Sequence, residues 1–124
     1  MPVTYRFDSS IVLIEMAGEY PLDEIRQTLV NALADPGRPA NSSLLINLTE
    51  SQSIHKRSQG ELQSAAQFLA SLAQRFKNRI AFVSSKDLPF GLARMVSVGA
   101  EELGIETEVF RTMDEARKWL LAAS

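Results

Sequence analysis

The run Leu44-Leu45-Ile46-Asn47-Leu48, its polar sequel and the following Ser58-Gln59-Gly60-Glu61 constrain this chain more than any other stretch. A short, mostly apolar run is the pattern of a strand covered on both faces. Such a strand needs other elements packed above and below it. The polar stretch Thr49-Glu50-Ser51-Gln52-Ser53-Ile54-His55-Lys56-Arg57 would leave its carboxyl end, where open α/β sheets place their working loops. Ser58 then marks a helix start.

The rest of the chain supplies the cover. Val3, Tyr5 and Phe7 alternate with Thr4 and Arg6, which predicts a half-buried strand. Asp8-Ser9-Ser10 is a turn, and Ile11 to Met16 a second apolar run closed by Gly18, so the two predict a β-hairpin. Pro21 suits the first turn of a helix, with Asp23 and Glu24 at its positive end. Leu22, Ile25, Leu29 and Leu33 form its stripe. Asp35-Pro36-Gly37-Arg38-Pro39 breaks that helix and reads as the most mobile segment of the chain. A helix over 58–76 buries Leu62, Ala65, Leu69, Leu72 and Phe76. Ile80-Ala81-Phe82-Val83 is a buried strand, and Ser84-Ser85-Lys86-Asp87 a turn beside the same working edge. Asp87 and Pro89 start a further helix that Gly104 ends, with Leu92, Val96, Ala100 and Leu103 inward. Residues 105–110 predict a half-polar strand near a sheet edge. Thr112-Met113-Asp114-Glu115 is a capping box that opens a last helix with Ala116, Trp119 and Leu120 inward.

The order is ββαβαβαβα, an α/β chain with a mixed, mainly parallel sheet and helices packed on it. Its 124 residues suit a single domain. A net charge of −2 argues against nucleic acid as partner. The absence of cysteine excludes disulfides and thiolate metal sites. One histidine and scattered carboxylates match no metal-ligand spacing, and no Gly-rich phosphate or dinucleotide loop is present, so no cofactor is expected. The start Met1-Pro2-Val3-Thr4-Tyr5-Arg6 lacks a secretion signal, and no apolar run reaches the roughly 20 residues of a membrane span. A soluble cytoplasmic protein is the expectation. Arg6, Glu106 and Glu108 put charges on the candidate sheet edges, so a monomer or weak homodimer is expected.

The element order resembles that of STAS domains, the family of bacterial anti-sigma factor antagonists and sulphate-transporter tails. Ile14-Glu15-Met16-Ala17-Gly18-Glu19 is similar to the family's second strand and closing glycine. Leu44-Leu45-Ile46-Asn47-Leu48-Thr49 is similar to its central strand, with Asn47 in place of the usual aspartate. Arg57-Ser58-Gln59-Gly60 falls near the family's Asp-Ser-Ser-Gly motif, whose first serine is phosphorylated. Here Arg57 replaces the aspartate and Gln59 the second serine. Residues 109–120 resemble the terminal strand and helix of the STAS-like branch grouped with CRAL-TRIO lipid-transfer domains. The resemblance spans nearly the whole chain as a pattern. It implies a non-enzymatic signalling module that docks a kinase or anti-sigma-type protein.

Each candidate residue also has a plain structural reading. Ser58 and Glu61 form a capping box, which explains both without any switch. Phosphate on Ser58 would instead add a charge of about −2 at a positive helix end beside Lys56 and Arg57. His55, Lys56 and Arg57 would hold an anion or a partner, or form a solvated basic turn. Phe90 and Met95 lie off the main stripe of their helix, as a partner patch or as peripheral core. Two rivals stand beside docking. One is a lipid- or small-molecule-binding domain with a pocket lined by Phe68, Phe82, Phe90 and Met95. The other is a hydrolase using His55, which needs a hydroxyl and a carboxylate around that ring.

Overall fold

The structure is a computed structural model that describes residues 3–18, 22–39, 42–51, 60, 64, 67–68, 71, 79–85, 94, 98 and 106–122. The elements are β1 (Val3–Asp8), β2 (Ile11–Gly18), α1 (Leu22–Ala34), β3 (Ser43–Ser51), β4 (Arg79–Val83), β5 (Glu106–Phe110) and a C-terminal helix, α2 (Met113–Ala122). Gly60, Ser64, Gln67, Phe68 and Ser71 are helical between β3 and β4, as are Arg94 and Val98 between β4 and β5. The expected α/β order is therefore observed.

The strands form one sheet in the order β1-β2-β3-β4-β5. β1 and β2 are an antiparallel hairpin, with Val3 opposite Met16 and Asp8 opposite Ile11. The pairs β2–β3, β3–β4 and β4–β5 are all parallel. Ser9 takes a positive φ of 54° in the hairpin turn, tolerable there because the turn is tight and the side chain small.

Alternation along each strand divides the core into two clusters. Val12, Ile14, Met16, Leu44, Ile46, Leu48, Ile80 and Phe82 meet Leu29 and Ala32 of α1 on one face. Ile11, Leu13, Leu45, Ala81 and Val83 meet Ala116 and Leu120 of α2 on the other. Burial on both faces is why β2, β3 and β4 read as apolar runs instead of alternating ones. β1 alternates because only one of its faces is covered. Val3 is buried there, while Arg6 on the opposite face has a side chain 68% exposed and pairs with Glu15 at 3.2 Å.

α2 is held at both ends. At its start, Glu115 N–H donates to Thr112 Oγ1 at 3.2 Å, the first half of the expected capping box. The second half differs. The Glu115 carboxylate accepts the Thr112 hydroxyl itself, at 3.0 Å, rather than a backbone N–H. At its end the helix has no basic residue in its last turn. Arg79 supplies that charge from β4. Its Nη1 donates to Trp119 C=O at 2.6 Å, its guanidinium lies 4.2 Å from the Trp119 ring centre, and Nη2 meets Glu106 Oε1 at 2.7 Å. A cation there satisfies a carbonyl that no further helical turn can reach. Trp119, expected inward, is partly buried. Its ring packs on Phe110 at 5.7 Å and forms the rim of the cluster, with Ala116 and Leu120 beneath. Arg117 reaches the hairpin turn, where Nη2 donates to Asp8 Oδ1 at 3.4 Å and Nε faces Asp8 Oδ2 at 3.1 Å.

The segment after α1 is fastened, contrary to the expectation of mobility. Asp35 does the fastening. One of its carboxylate oxygens accepts Gly37 N–H at 2.8 Å, the other accepts the Tyr5 hydroxyl at 2.7 Å, and its carbonyl accepts Arg38 N–H at 3.1 Å. The Tyr5 hydrogen bond, followed by the Gly37 N–H, lowers the Asp35 pKa. The same bond raises that of Tyr5. Proline and glycine therefore end the helix here, while a local side chain holds the resulting turn against β1.

Candidate functional site

Four strands, β2 to β5, run parallel and so deliver their carboxyl ends to one side of the sheet. Gly18 closes β2 with a φ of +67°, a backbone state that favours glycine, and the chain turns there toward α1. β3 reaches past β4, with β2 alongside it as far as Gly18. Its last residue in register with β4 is Asn47, opposite Val83, yet the strand continues through Ser51. The stretch Thr49-Glu50-Ser51, expected to be loop, is thus strand. Its pairing with β2 explains this, since Glu50 sits opposite Ala17 and Ser51 opposite Gly18. Polar residues gave no strand signal, but a long neighbouring strand was there to receive them.

The extension contains an irregularity. Between the pairs Glu15–Asn47 and Ala17–Glu50, β2 advances from 15 to 17 while β3 advances from 47 to 50, so β3 carries one extra residue. Asn47 sits at the start of it, and its Oδ1 accepts the Thr49 N–H at 3.0 Å. A side-chain acceptor at this position holds the bulge and aims the end of β3. That role needs only an oxygen, which an amide and a carboxylate both provide.

The neighbouring strand ends contribute polar groups to the same rim. Ser84, buried directly after β4, donates its N–H to Phe110 C=O at 3.0 Å. Arg111 leaves β5 and donates through Nη1 to Ser85 C=O at 3.4 Å. On the other flank, the first turn of α1 places Asp23 and Glu24 at the same edge. Glu24 Oε2 is shielded from solvent there, without a hydrogen-bond partner among the described residues. The rim thus carries carboxylates at both flanks, Asp23 and Glu24 beside β2 and Asp114 and Glu115 beside β5, with Arg111 next to the latter pair.

Ser51 is the last described residue before the segment that held most of the sequence-based candidates. His55, Lys56, Arg57 and Ser58 lie outside the described residues, as do Glu61, Phe90 and Met95. Gly60, two positions after Ser58, is helical and exposed. Of the residues expected to line a ligand pocket, Phe82 is buried in the core under α1, and Phe68 packs against that cluster with Arg26 5.7 Å from its ring centre. Arg111 was missed as a rim residue. Its only sequence signal is its place directly after a strand, and that becomes informative once the strand is known to be parallel to its neighbour.

No family model matches the chain, and no curated protein matches it. Among solved structures it is similar to an uncharacterized protein from the DUF3478 family with a SpoIIAA-like fold, from Shewanella loihica PV-4. The TM-score is 0.58 at 17% sequence identity, over 95% of this chain and 91% of that one. The chain therefore has the SpoIIAA-like, or STAS-like, α/β fold. Among the described residues, no helix is long and apolar enough to cross a membrane.

Proposed function

We propose that this chain is a non-enzymatic regulatory module that docks a protein partner across the carboxyl edge of its sheet. The observation that carries the reading is the projection of β3. It runs past its last pairing with β4, at Asn47 and Val83, to Ser51. The polar segment with His55, Lys56, Arg57 and Ser58 therefore departs from a raised point in the middle of the sheet. A partner bound there would meet that segment first, then Arg111 on one flank and the acidic start of α1 on the other. Phe90 and Met95 would add apolar contact. The partner is a kinase or anti-sigma-type regulator in a cytoplasmic signalling pathway, and phosphorylation of Ser58 turns the docking off by placing a charge in the interface.

The test uses a partner isolated on the immobilised wild-type chain from extracts of its own cell. Its affinity is then measured by calorimetry for wild type, Ser58→Ala and Ser58→Asp. Asp caps a helix about as well as Ser and suits the helix dipole, so the fold is spared. A switch predicts that Ser58→Asp binds at least tenfold more weakly, a loss of about 1.4 kcal/mol, while Ser58→Ala binds like wild type. Affinity for Ser58→Asp within about twofold of wild type sinks the switch and leaves Ser58 as a helix cap.

A further inference from the structure

Asp35 precedes Pro36, a pair of residues with a chemistry of its own. The proline nitrogen belongs to a tertiary amide. Such a nitrogen takes up a proton more readily than an ordinary peptide nitrogen, and so leaves more readily. The Asp35 carboxylate is tethered beside the carbonyl of that same amide, and a tethered nucleophile acts at a high effective concentration. Attack forms a bond between a carboxylate oxygen and the Asp35 carbonyl carbon. The bond to the Pro36 nitrogen breaks as that nitrogen takes a proton from the acid solution. Water then opens the cyclic anhydride that is left. In sum, water hydrolyses a peptide bond, with a new carboxyl end at Asp35 and a new amino end at Pro36.

The turn presents this bond to water but occupies its nucleophile. Pro36 and Gly37 are exposed. Arg38 N–H donates to the Asp35 carbonyl at 3.1 Å, which polarises the carbon to be attacked. Restraint falls on the carboxylate. One of its oxygens accepts Gly37 N–H at 2.8 Å and the other accepts the Tyr5 hydroxyl at 2.7 Å. The Tyr5 bond also lowers the Asp35 pKa, and an oxygen that holds a proton less readily attacks carbon less readily. The Gly37 bond is local to the turn. The Tyr5 bond spans 30 residues and exists only while the end of α1 lies against β1.

We propose that the bond between Asp35 and Pro36 is an acid self-cleavage site of this chain, and that Tyr5 restrains it in the folded state by occupying the attacking carboxylate. The bond is labile wherever the end of α1 comes away from β1, and guarded while the two are docked. A cut here leaves the sheet in place, because β2 stays paired with β3 while Leu29 and Ala32 of α1 stay in the core. The pieces part only on unfolding.

Wild type, Tyr5→Phe and Asp35→Ala are incubated at the lowest pH at which circular dichroism shows them folded, and again in the same buffer with urea. Tyr5→Phe keeps the ring that packs on Phe7 at 5.7 Å. The pieces, residues 1–35 and 36–124, are read by mass after denaturation. In urea, wild type and Tyr5→Phe are expected to cleave at the same rate, and Asp35→Ala not to cleave at this bond. Folded wild type is expected to cleave about tenfold more slowly than in urea, since both hydrogen bonds are then in place. Folded Tyr5→Phe is expected to cleave about fivefold faster than folded wild type, the worth of one hydrogen bond. The wild-type comparison uses no variant, so it stands whatever a substitution does to the fold. Wild type left intact in urea, or cleaved there no faster than when folded, overturns the proposal. So does a folded Tyr5→Phe that cleaves no faster than folded wild type, because Tyr5 then restrains nothing. Cleavage of Asp35→Ala at the wild-type rate overturns it too, since the carboxylate would not be the nucleophile.

Discussion

Replacing Arg79 with Ala should cost about 2–3 kcal/mol, most of it from the end of α2 rather than from the ion pair. The guanidinium makes three contacts of unequal worth. The bond to Trp119 C=O is charge-assisted and short, and such bonds contribute roughly 1.5–3 kcal/mol. The stacking on the Trp119 ring adds about 0.5–2 kcal/mol, depending on desolvation. The Arg79 side chain is only 19% exposed, which favours the larger values for both. Its carboxylate partner Glu106 is 58% exposed, so the pair is screened and worth about 1 kcal/mol at most. One side chain makes all three contacts, so they do not simply add. The assay is urea unfolding followed by circular dichroism, which also serves variants lacking the single tryptophan. Glu106→Gln should lose less than about 1 kcal/mol, and Arg79→Lys should lose more than half of what Arg79→Ala loses, because an ammonium lacks the planar fork. Trp119→Ala should cost about 2–3 kcal/mol, below the 3–5 kcal/mol of a fully buried aromatic side chain, since the ring is half-buried. In a double-mutant cycle, Arg79→Ala and Trp119→Ala should couple by about 1 kcal/mol. Arg79→Ala losing no more than Glu106→Gln, or additivity in the cycle, would refute the reasoning.

Three further outcomes are expected. The Asp35 pKa is depressed when folded, so the stability it contributes is present above its ordinary value of 3.8 and is lost as pH falls through the lower, folded value. Tyr5→Phe should move the Asp35 carboxyl titration, read by NMR, back toward the ordinary value; an unmoved titration would mean that Gly37 N–H alone sets it. Ser42 is fully buried and its hydroxyl has no partner among the described residues, so Ser42→Ala should leave stability unchanged or raise it by up to about 1 kcal/mol in denaturant titration. Gly18→Ala should cost about 1 kcal/mol from its backbone conformation alone, because no heavy atom of the described residues lies within 4 Å of an added Cβ, and Gly18→Asn should cost less.

The division between sequence and tertiary structure follows from the range of the forces involved. Periodicity is local, so Val12, Ile14, Leu44, Ile46, Ala116 and Leu120 are legible as core from their neighbours alone, and with them the α/β order. The helix stop at Asp35 is legible too, because proline and glycine act on their own backbone. The contacts of that stop with β1 are not, since Tyr5 and Asp35 are 30 residues apart and meet only through the packing of α1. The same holds for the cation that caps α2. The helix carries none in its last turn, and Arg79 reaches Trp119 across 40 residues of sequence because β4 lies under the helix. The extra length of β3 likewise depends on β2, whose Ala17 and Gly18 offer backbone partners to residues with no strand preference of their own. Local pattern sets which side chains seek the interior; which polar groups meet there is decided by the folded chain, because a hydrogen bond acts only within about 3.5 Å and carries no mark along the sequence.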